Sequence, residues 1–232
     1  MKTKIYLLPG IMCNQNLWRE LTPFFKEQYE LIHVPIPLKT NFDEIIKSLE
    51  LFLPQEPINL LGFSLGGYVA SYFATSYPKR VKRLFIVGNS ACSISQEEID
   101  KRKKAIEFTQ SYRFKGLSRK KVQSLLEEKN QNNENLIALI QNMYVNLGEE
   151  VYTTQITATL HRKDLFEDML KLTLPLTFFY SKKDRLVDIL WLESFAKASS
   201  QAVFITNESS SHMLPLEKPY ELSTAIKKWV QF

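Results

Sequence analysis

Short strand-like runs alternate with helix-like patterns along most of this chain. Apolar residues recur at helical spacing over residues 42–53, with Asn41 and Glu44 placed as an N-cap and its partner. Strands that alternate with helices are joined by crossovers, so the pattern predicts an α/β fold with a mainly parallel, six-stranded sheet flanked by helices. The six runs that predict strands are residues 5–8, 31–35, 58–61, 84–88, 176–180 and 203–206.

The alternation is interrupted once, over a segment without any strand-like run. Ser95 and Glu98 have the spacing of a capping box that opens a helix, and a second apolar helical pattern lies further along the segment. A helical insertion in an α/β core predicts a lid over a functional site. The expected organisation is a core of residues 1–94 and 165–232 with a helical lid of residues 95–164.

The composition is that of one ordinary globular domain, with 232 residues, 44% hydrophobic and 24% charged. It excludes a disordered chain, a collagen and a disulfide-stapled miniprotein. Residues 57–78 carry no charge and are long enough to span a bilayer. However, the stretch contains Ser, Thr and Asn and changes at Gly62 from a β-like to a helix-like pattern. We therefore expect a strand followed by a buried helix there.

The first residues do not have the pattern of an export signal. Two lysines precede an apolar run that breaks at Pro9 and Gly10, which is short for a signal peptide and lacks a small-residue cleavage site. We therefore expect a cytoplasmic protein in which Cys13 and Cys92 are reduced thiols.

Glycine is scarce in this chain, and its placement is informative. The chain has seven glycines, whereas the usual frequency would give about 16. Three of the seven lie in the segment 62–67, Gly-Phe-Ser-Leu-Gly-Gly. A dinucleotide-binding motif would need glycine where Ser64 stands, and a phosphate-binding P-loop would need lysine where Tyr68 stands. The motif that fits fully is G-x-S-x-G, the turn that presents a nucleophilic serine between a strand and a helix.

The chemistry of such a turn explains its glycines. The nucleophile has unfavourable backbone angles, so the residues two before and two after it must not clash with it. The turn exposes the Ser64 hydroxyl at a helix N-terminus, where the N–H of Leu65 can stabilise an oxyanion. The alternative, a serine in a tight turn without a catalytic role, is weakened by the strand and helix on either side.

A nucleophilic serine needs a base, and the chain has three histidines. His33 lies in an apolar strand run and is expected to be packed, and His161 has no chemical motif around it. His212 lies between the last strand and the last helix, which places it at the same carboxyl rim of the sheet as Ser64. We therefore predict His212 as the base.

The base needs a carboxylate to orient it and to stabilise its cation. Asp184 follows the fifth predicted strand, so it also lies on the carboxyl rim. Asp188 is the alternative, but its position fits an N-cap of the next helix better. The order Ser64, Asp184, His212 is that of the α/β-hydrolases and differs from the orders in chymotrypsin and subtilisin.

With these motifs in place, the chain resembles the α/β-hydrolase superfamily over nearly its whole length. It is most similar to the small lid-bearing branch of carboxylesterases and of the carrier-protein methyl ester esterase of biotin synthesis. The matching segments are the elbow 62–70, the turn 77–81, the lid exit 162–164 and the histidine loop 212–219. The resemblance implies a Ser64, His212 and Asp184 triad and implies neither a metal nor a cofactor. The first strand begins close to the start of the chain, so the sheet is expected to lack the family's leading antiparallel hairpin.

The resemblance also implies an oxyanion loop after the first strand. Residues 7–11, Leu-Leu-Pro-Gly-Ile, match it, with proline in place of the usual histidine. The second oxyanion donor would be the backbone N–H of Ile11, with Met12 as the alternative. Substrate contacts are expected from Met12, Phe63, Met143 and Met213. Ser181, Ser210 and Ser211 stand where relatives often have glycine, which leaves the geometry of the acid and histidine loops open.

The lid is basic. Residues 97–129 contain ten Lys and Arg against six Asp and Glu, an excess of +4 within a total of +5. Solvated helix faces would explain the charge, and the alternative is docking of an acidic carrier protein or coenzyme A. The basic residues are not interleaved with aromatic residues as in a nucleic-acid-binding stripe, so we do not expect nucleic acid as a partner.

Together these features predict a serine hydrolase that cleaves a carboxylic ester or thioester through an acyl-enzyme. Two alternatives stay open. The same scaffold supports lyase or elimination chemistry in which the triad acts as a base, and it also supports non-catalytic ligand binding.

Overall fold

A single parallel sheet forms the centre of the protein, as the sequence predicts. The structure is a computed structural model that describes residues 2–25, 27–112 and 114–231. The strand order is β2-β1-β3-β4-β5-β6, and every pairing is parallel. The strands are β1 (Thr3–Leu8), β2 (Tyr29–His33), β3 (Ile58–Phe63), β4 (Val81–Val87), β5 (Leu176–Ser181) and β6 (Val203–Asn207).

The second strand is shifted toward the N-terminus relative to its predicted bounds, residues 31–35. It begins two residues earlier and ends at His33. Val34 still donates its N–H to the carbonyl of Leu7 at 2.9 Å, but Pro35 has no N–H and cannot continue the ladder.

Helices cover both faces of the sheet, so its central strands are apolar on both sides. All six residues of β3 are buried, whereas the residues of the two edge strands, β2 and β6, are half-buried or exposed. One face packs against α1 (Phe42–Phe52), α2 (Leu65–Ser76), α6 (Phe166–Leu170) and α7 (Ile189–Ala198). The other face packs against α8 (Leu214–Glu217), α9 (Pro219–Gln231) and the short 3-10 segments near residues 15–25.

Between β4 and α6, the described residues form helices and no strand. They are α3 (Gln96–Ser111), α4 (Arg119–Gln123) and α5 (Glu134–Thr159), with a 3-10 turn at Glu128–Asn130. Ser95 is the N-cap residue of α3, as predicted, and its hydroxyl oxygen accepts a hydrogen bond from the N–H of Glu98. The second predicted helix is the first half of α5, which continues past a non-helical residue, Gly148. We call residues 95–164 the cap, and its status as a separate lid domain stays a prediction.

The uncharged stretch 57–78 is β3 followed by the buried helix α2, as predicted. Within residues 2–25, 27–112 and 114–231, no helix is long and apolar enough to cross a membrane. Cys13 is buried and Cys92 is half-buried, and neither is in a disulfide.

Candidate active site

Ser64 lies in a sharp turn at the carboxyl end of the central strand β3. Its backbone angles are φ 51° and ψ −116°, in a region that residues other than glycine rarely adopt. The turn is held from the neighbouring strand, because the N–H of Ser64 donates to the carbonyl of Val87 at 2.8 Å. Ser64 is also the N-cap residue of α2, so the N–H of Leu65 begins the helix without an intrahelical partner.

Two of the predicted glycines are required by the space around this turn. A Cβ on Gly62 would lie 2.1 Å from the carbonyl oxygen of Gly66, and a Cβ on Gly66 would lie 2.2 Å from that of Leu8. Both neighbours are backbone atoms, which cannot move aside as a side chain can. The turn is therefore possible only because β1, β3 and α2 approach each other without side chains between them.

The structure brings the three predicted side chains together in one chain of hydrogen bonds. His212 Nε2 lies 3.0 Å from Ser64 Oγ, and His212 Nδ1 lies 2.7 Å from Asp184 Oδ2. When Nδ1–H donates to the carboxylate, Nε2 carries a lone pair and accepts from the serine hydroxyl. Asp184 is 4% exposed and His212 is 5% exposed. The arrangement can take a proton from Ser64 and stabilise the resulting cation in a largely water-free setting.

The other acidic and histidine candidates lie elsewhere. Asp188 caps α7, where its Oδ1 accepts from the N–H of Trp191 at 3.0 Å. His33 Nδ1 accepts from the indole N–H of Trp18 at 3.2 Å, and burial lowers its pKa. His161 is exposed just after α5.

Serine side chains fill the places where glycine is common in relatives, and they connect the acid loop to the histidine loop. Ser181 is fully buried, and its hydroxyl donates to the carbonyl of Ser211 at 2.7 Å and contacts Ser209 Oγ at 3.0 Å. The hydroxyl of Ser211 donates in turn to the carboxylate of Glu217. This network was not predicted, because nothing in the sequence pairs these loops.

The cap supports the histidine loop directly. The backbone N–H of His212 donates to the carbonyl of Leu125 at 2.9 Å. Glu217 accepts from the N–H of Glu127 at 3.0 Å and from the side-chain amide of Asn130 at 2.8 Å. Burial raises the pKa of Glu217. Cap residues therefore help to fix the backbone position of His212.

The two candidates for the second oxyanion donor differ in their surroundings. The N–H of Met12 donates to Gln155 Oε1 on α5 at 2.8 Å, and this bond is buried. Ile11 is half-buried and lines the cavity in front of Ser64. A Cβ on Gly10 would lie 2.9 Å from the ring of Phe63 and 3.3 Å from Ser64 Cβ, so glycine allows this loop to approach Ser64. These contacts favour Ile11 over Met12 as the second oxyanion donor, because the N–H of Met12 already has a partner. The bond from Met12 to Gln155 is not predicted by the sequence.

A cavity of about 570 Å³ lies between the sheet rim and the cap and is lined by Ser64, Leu65 and His212. Of the four predicted substrate contacts, Phe63 and Met213 line it. The placement of Met12 and Met143 corrects the other two expectations, because both side chains are fully buried in the core and neither lines the cavity. A groove of about 640 Å³ between the segment near Arg19 and α5 does not contain Ser64.

Within the described ranges, no group of three or more His, Cys, Asp and Glu side chains is arranged to hold a metal ion.

Known proteins resemble this chain in sequence. A family model described as Hydrolase_4, serine aminopeptidase, S33, matches residues 38–219. The monoacylglycerol lipase ABHD6 of Mus musculus is 20% identical over 97% of this chain and 74% of its own length. A pimeloyl-[acyl-carrier protein] methyl ester esterase of Aeromonas hydrophila is 29% identical over 40% of this chain and 41% of its own length.

Among solved structures, a thermophilic esterase from Thermogutta terrifontis superposes with a TM-score of 0.85 and 20% identity, covering 100% of this chain and 90% of that one. At this identity the likeness shows the fold, and the predicted α/β-hydrolase fold is confirmed.

Proposed function

Because this chain belongs to the Hydrolase_4 family of α/β-hydrolases, we propose that it cleaves carboxylic esters or thioesters through an acyl-enzyme on Ser64. The observation that carries the proposal is the continuous contact from Ser64 Oγ through His212 to Asp184, at 3.0 and 2.7 Å. The esterase and lipase relatives support the same class of substrate.

The proposed mechanism uses groups already in position. His212 Nε2 takes the hydroxyl proton as Ser64 Oγ attacks the acyl carbon, and Asp184 Oδ2 stabilises the imidazolium. The N–H groups of Leu65 and Ile11 stabilise the oxyanion of the tetrahedral intermediate. His212 then protonates the leaving alcohol or thiol. A water activated by the same nitrogen hydrolyses the acyl-enzyme, which returns the proton to Ser64.

The charges around the cavity favour an ester over the N-terminus of a peptide, although the family model is described as a serine aminopeptidase. A free α-amino group would be bound by carboxylates, and the described lining has two acidic side chains, Glu98 and Asp188. Glu98 Oε1 lies 2.9 Å from Arg102 Nε, and Asp188 caps α7, so both carboxylates already have partners in the protein. The same lining contains five cationic side chains, Lys101, Arg102, Lys121, Arg162 and Arg185.

The test is turnover of p-nitrophenyl esters of varied acyl length by the wild type and by Ser64→Ala. We expect the variant to lose activity by about 10³-fold or more while keeping its unfolding temperature. Ser93→Ala is the matched control, because Ser93 lines the same cavity and should leave kcat unchanged. A mass increase on Ser64 equal to the acyl group would separate ester hydrolysis from lyase chemistry. Retained turnover in Ser64→Ala would refute the proposal.

We also propose that the cap docks an anionic acyl donor such as an acidic carrier protein or coenzyme A. The support is charge: exposed lysines of the cap, such as Lys103, Lys104 and Lys120, add to the cations at the cavity. Arg113, one of the ten basic residues counted, lies outside the described residues. The carrier-protein esterase relatives support the same class of donor. kcat/KM for such a donor should fall as ionic strength rises, and a value independent of salt would contradict this.

A further inference from the structure

A cation that makes no hydrogen bond or ion pair with the described residues lies in the wall of the cavity that holds Ser64. Arg162 follows α5 and lines this cavity. Its Nε and Nη2 atoms are buried and make no hydrogen bond, and its guanidinium has no ion pair among the residues that the structure describes. Buried polar groups are nearly always paired in folded proteins, so an unpaired guanidinium at this place needs an explanation.

The side chains around Arg162 hold its guanidinium in position but do not neutralise it. The guanidinium carbon lies 4.3 Å from the centroid of the Tyr68 ring, which supports it from one side. Tyr68 is fixed in turn, because its hydroxyl donates to the carbonyl of Lys163 at 3.0 Å and accepts from the N–H of Lys163 at 2.8 Å. Tyr68 lies one helical turn after Ser64 on α2, and Arg162 and Ser64 line the same cavity.

Asp164, the acidic residue whose charge acts on Arg162, accepts its hydrogen bonds from other groups. Asp164 Oδ1 accepts from the indole N–H of Trp191 at 2.9 Å and from the N–H of Phe166 at 2.9 Å. Arg102 adds a second positive charge nearby, and its own partner is Glu98. Burial lowers the pKa of Arg162, but a guanidinium stays protonated in proteins. The guanidinium therefore has no hydrogen-bonded counterion among the described residues, which is unfavourable unless a ligand supplies one.

We propose that the guanidinium of Arg162 binds a carboxylate carried by the substrate of Ser64. This inference rests on the proposed hydrolase function and names the substrate class, an ester that carries a second, ionised carboxyl group. A guanidinium offers two parallel N–H donors that match the two oxygens of a carboxylate. The excess of cations in the cavity lining attracts the same ligand.

The carboxylate can belong to the acyl part or to the leaving group, and two pairs of esters distinguish these sources. Mono-4-nitrophenyl glutarate and 4-nitrophenyl pentanoate have acyl chains of equal length and differ in the terminal carboxylate. 4-Acetoxybenzoate and phenyl acetate differ in a carboxylate on the leaving group. The wild type should favour the charged member of one pair, and no preference in either pair would overturn the proposal.

The decisive variant is Arg162→Met, which removes the charge and keeps much of the volume. For the favoured charged ester we expect kcat/KM to fall by about tenfold or more, mainly through KM, whereas the neutral partner changes by less than about twofold. Lys121→Met is the matched control, because it removes one positive charge from the lining of the same cavity. A loss in Arg162→Met that is equal for both esters, or a loss in Lys121→Met of the same size, would overturn the assignment.

Two further measurements separate a structural role from a binding role. Replacing an unpaired buried charge by Met should keep or raise the unfolding temperature. If Arg162→Met fails to fold, Arg162→Lys retains the charge but loses the two-pronged geometry, and it should still lower kcat/KM for the charged ester selectively. An Arg162→Lys protein that hydrolyses both esters like the wild type would contradict the proposal.

Binding of glutarate itself tests Arg162 independently of catalysis. Calorimetric titration should show binding to the wild type and to Ser64→Ala, and binding at least about tenfold weaker to Arg162→Met. Glutarate binding without ester turnover would refute the proposed function and retain the carboxylate site. Ester turnover with unchanged glutarate binding in Arg162→Met would retain the function and refute the site.

Discussion

The nucleophile turn and the paired acid and histidine loops position their side chains in different ways. At Ser64 the main chain is fixed by close backbone packing, with glycines where β1, β3 and α2 touch. At Asp184 and His212 the loops are fixed by hydroxyl and carboxylate side chains, from Ser181 to Ser211 and from Ser211 to Glu217. The first region excludes side chains, whereas the second depends on them.

This contrast accounts for the residue types in the two regions. Gly62 and Gly66 stand where a Cβ would meet backbone, and serine occupies positions such as 181 and 211, where a hydroxyl can bond across two loops. A carbonyl buried between loops needs a donor, and the serine at position 181 supplies one that glycine could not. The two regions should therefore respond differently to substitution.

The largest effect is expected at the nucleophile turn, from Gly66→Ala. The new Cβ would lie 2.2 Å from a backbone carbonyl oxygen, so we expect a loss of stability above about 3 kcal/mol together with loss of activity. Gly67→Ala is the graded comparison, because its Cβ would lie 2.9 Å from Asn89 Cβ and 3.2 Å from the nearest backbone atom, the carbonyl oxygen of Gly62. It should cost about 1–3 kcal/mol. Chemical denaturation measures the free energy of unfolding of both variants. Equal losses of stability would show that contact with the backbone does not cause the loss in Gly66→Ala.

The next effect is expected at the acid loop, from Asp184→Asn. An amide cannot stabilise the His212 cation as the carboxylate does, so kcat should fall by about 10³- to 10⁴-fold with little change in stability. Asp188→Asn is the control, since asparagine caps a helix as well as aspartate does and the Asp188 carboxylate accepts from the N–H of Trp191 on α7. Ester turnover by the two variants tests the choice of Asp184, and a greater loss in Asp188→Asn would reverse it.

A smaller effect is expected from Ser181→Ala, which removes the hydroxyl between the two loops. The buried carbonyl of Ser211 loses its donor, so we expect about 1–2 kcal/mol lower stability and a decrease in kcat of up to about tenfold. Ser223→Ala removes a buried hydroxyl whose bond stays within α9. If both variants left kcat unchanged, the serine network would have no role in holding His212.

The smallest effect concerns Glu217, and it depends on pH. Burial raises the pKa of this carboxyl above its ordinary value of 4.5, so the native state binds the proton more tightly than the unfolded state. Its contribution to stability therefore decreases as pH rises from about 4.5 through the raised pKa. Glu217→Gln should show a shallower loss of stability across that range, measured by denaturant midpoints at several pH values.

Glu221→Gln, on the exposed side of α9, is the comparison for that measurement. It should follow the wild-type pH dependence. An identical slope in Glu217→Gln and the wild type would exclude the buried carboxyl as the source of the slope.

Much of the fold was predictable because the signals are local. Strand-like and helix-like periodicities follow from neighbouring residues, and parallel pairing follows from their alternation. That argument predicted one rim for Ser64, Asp184 and His212, and the structure brings those side chains into contact. The predicted end of β2 was wrong by two residues because the prediction ran through Pro35, which cannot donate to the ladder.

The substrate side of the site was less predictable. Met12 and Met143 were expected at the substrate because apolar side chains suit an acyl group, but both are fully buried in the core. Apolar character does not distinguish a cavity wall from a core, since removing an apolar side chain from water is favourable at both positions. Arg162 lies in the matched lid exit, yet nothing in the sequence indicates that its guanidinium lacks a hydrogen-bonded counterion.

The sequence by itself therefore determined the alternation of strands and helices, the glycines of the nucleophile turn and the three side chains at the rim. Tertiary structure alone decided which groups meet across the chain: Gln155 with the N–H of Met12, Ser181 with the histidine loop, and Arg162 with the ring of Tyr68. The physical reason is range. Periodicity and turn geometry depend on residues a few positions apart, whereas hydrogen bonding and charge compensation depend on partners that only the packed fold brings together.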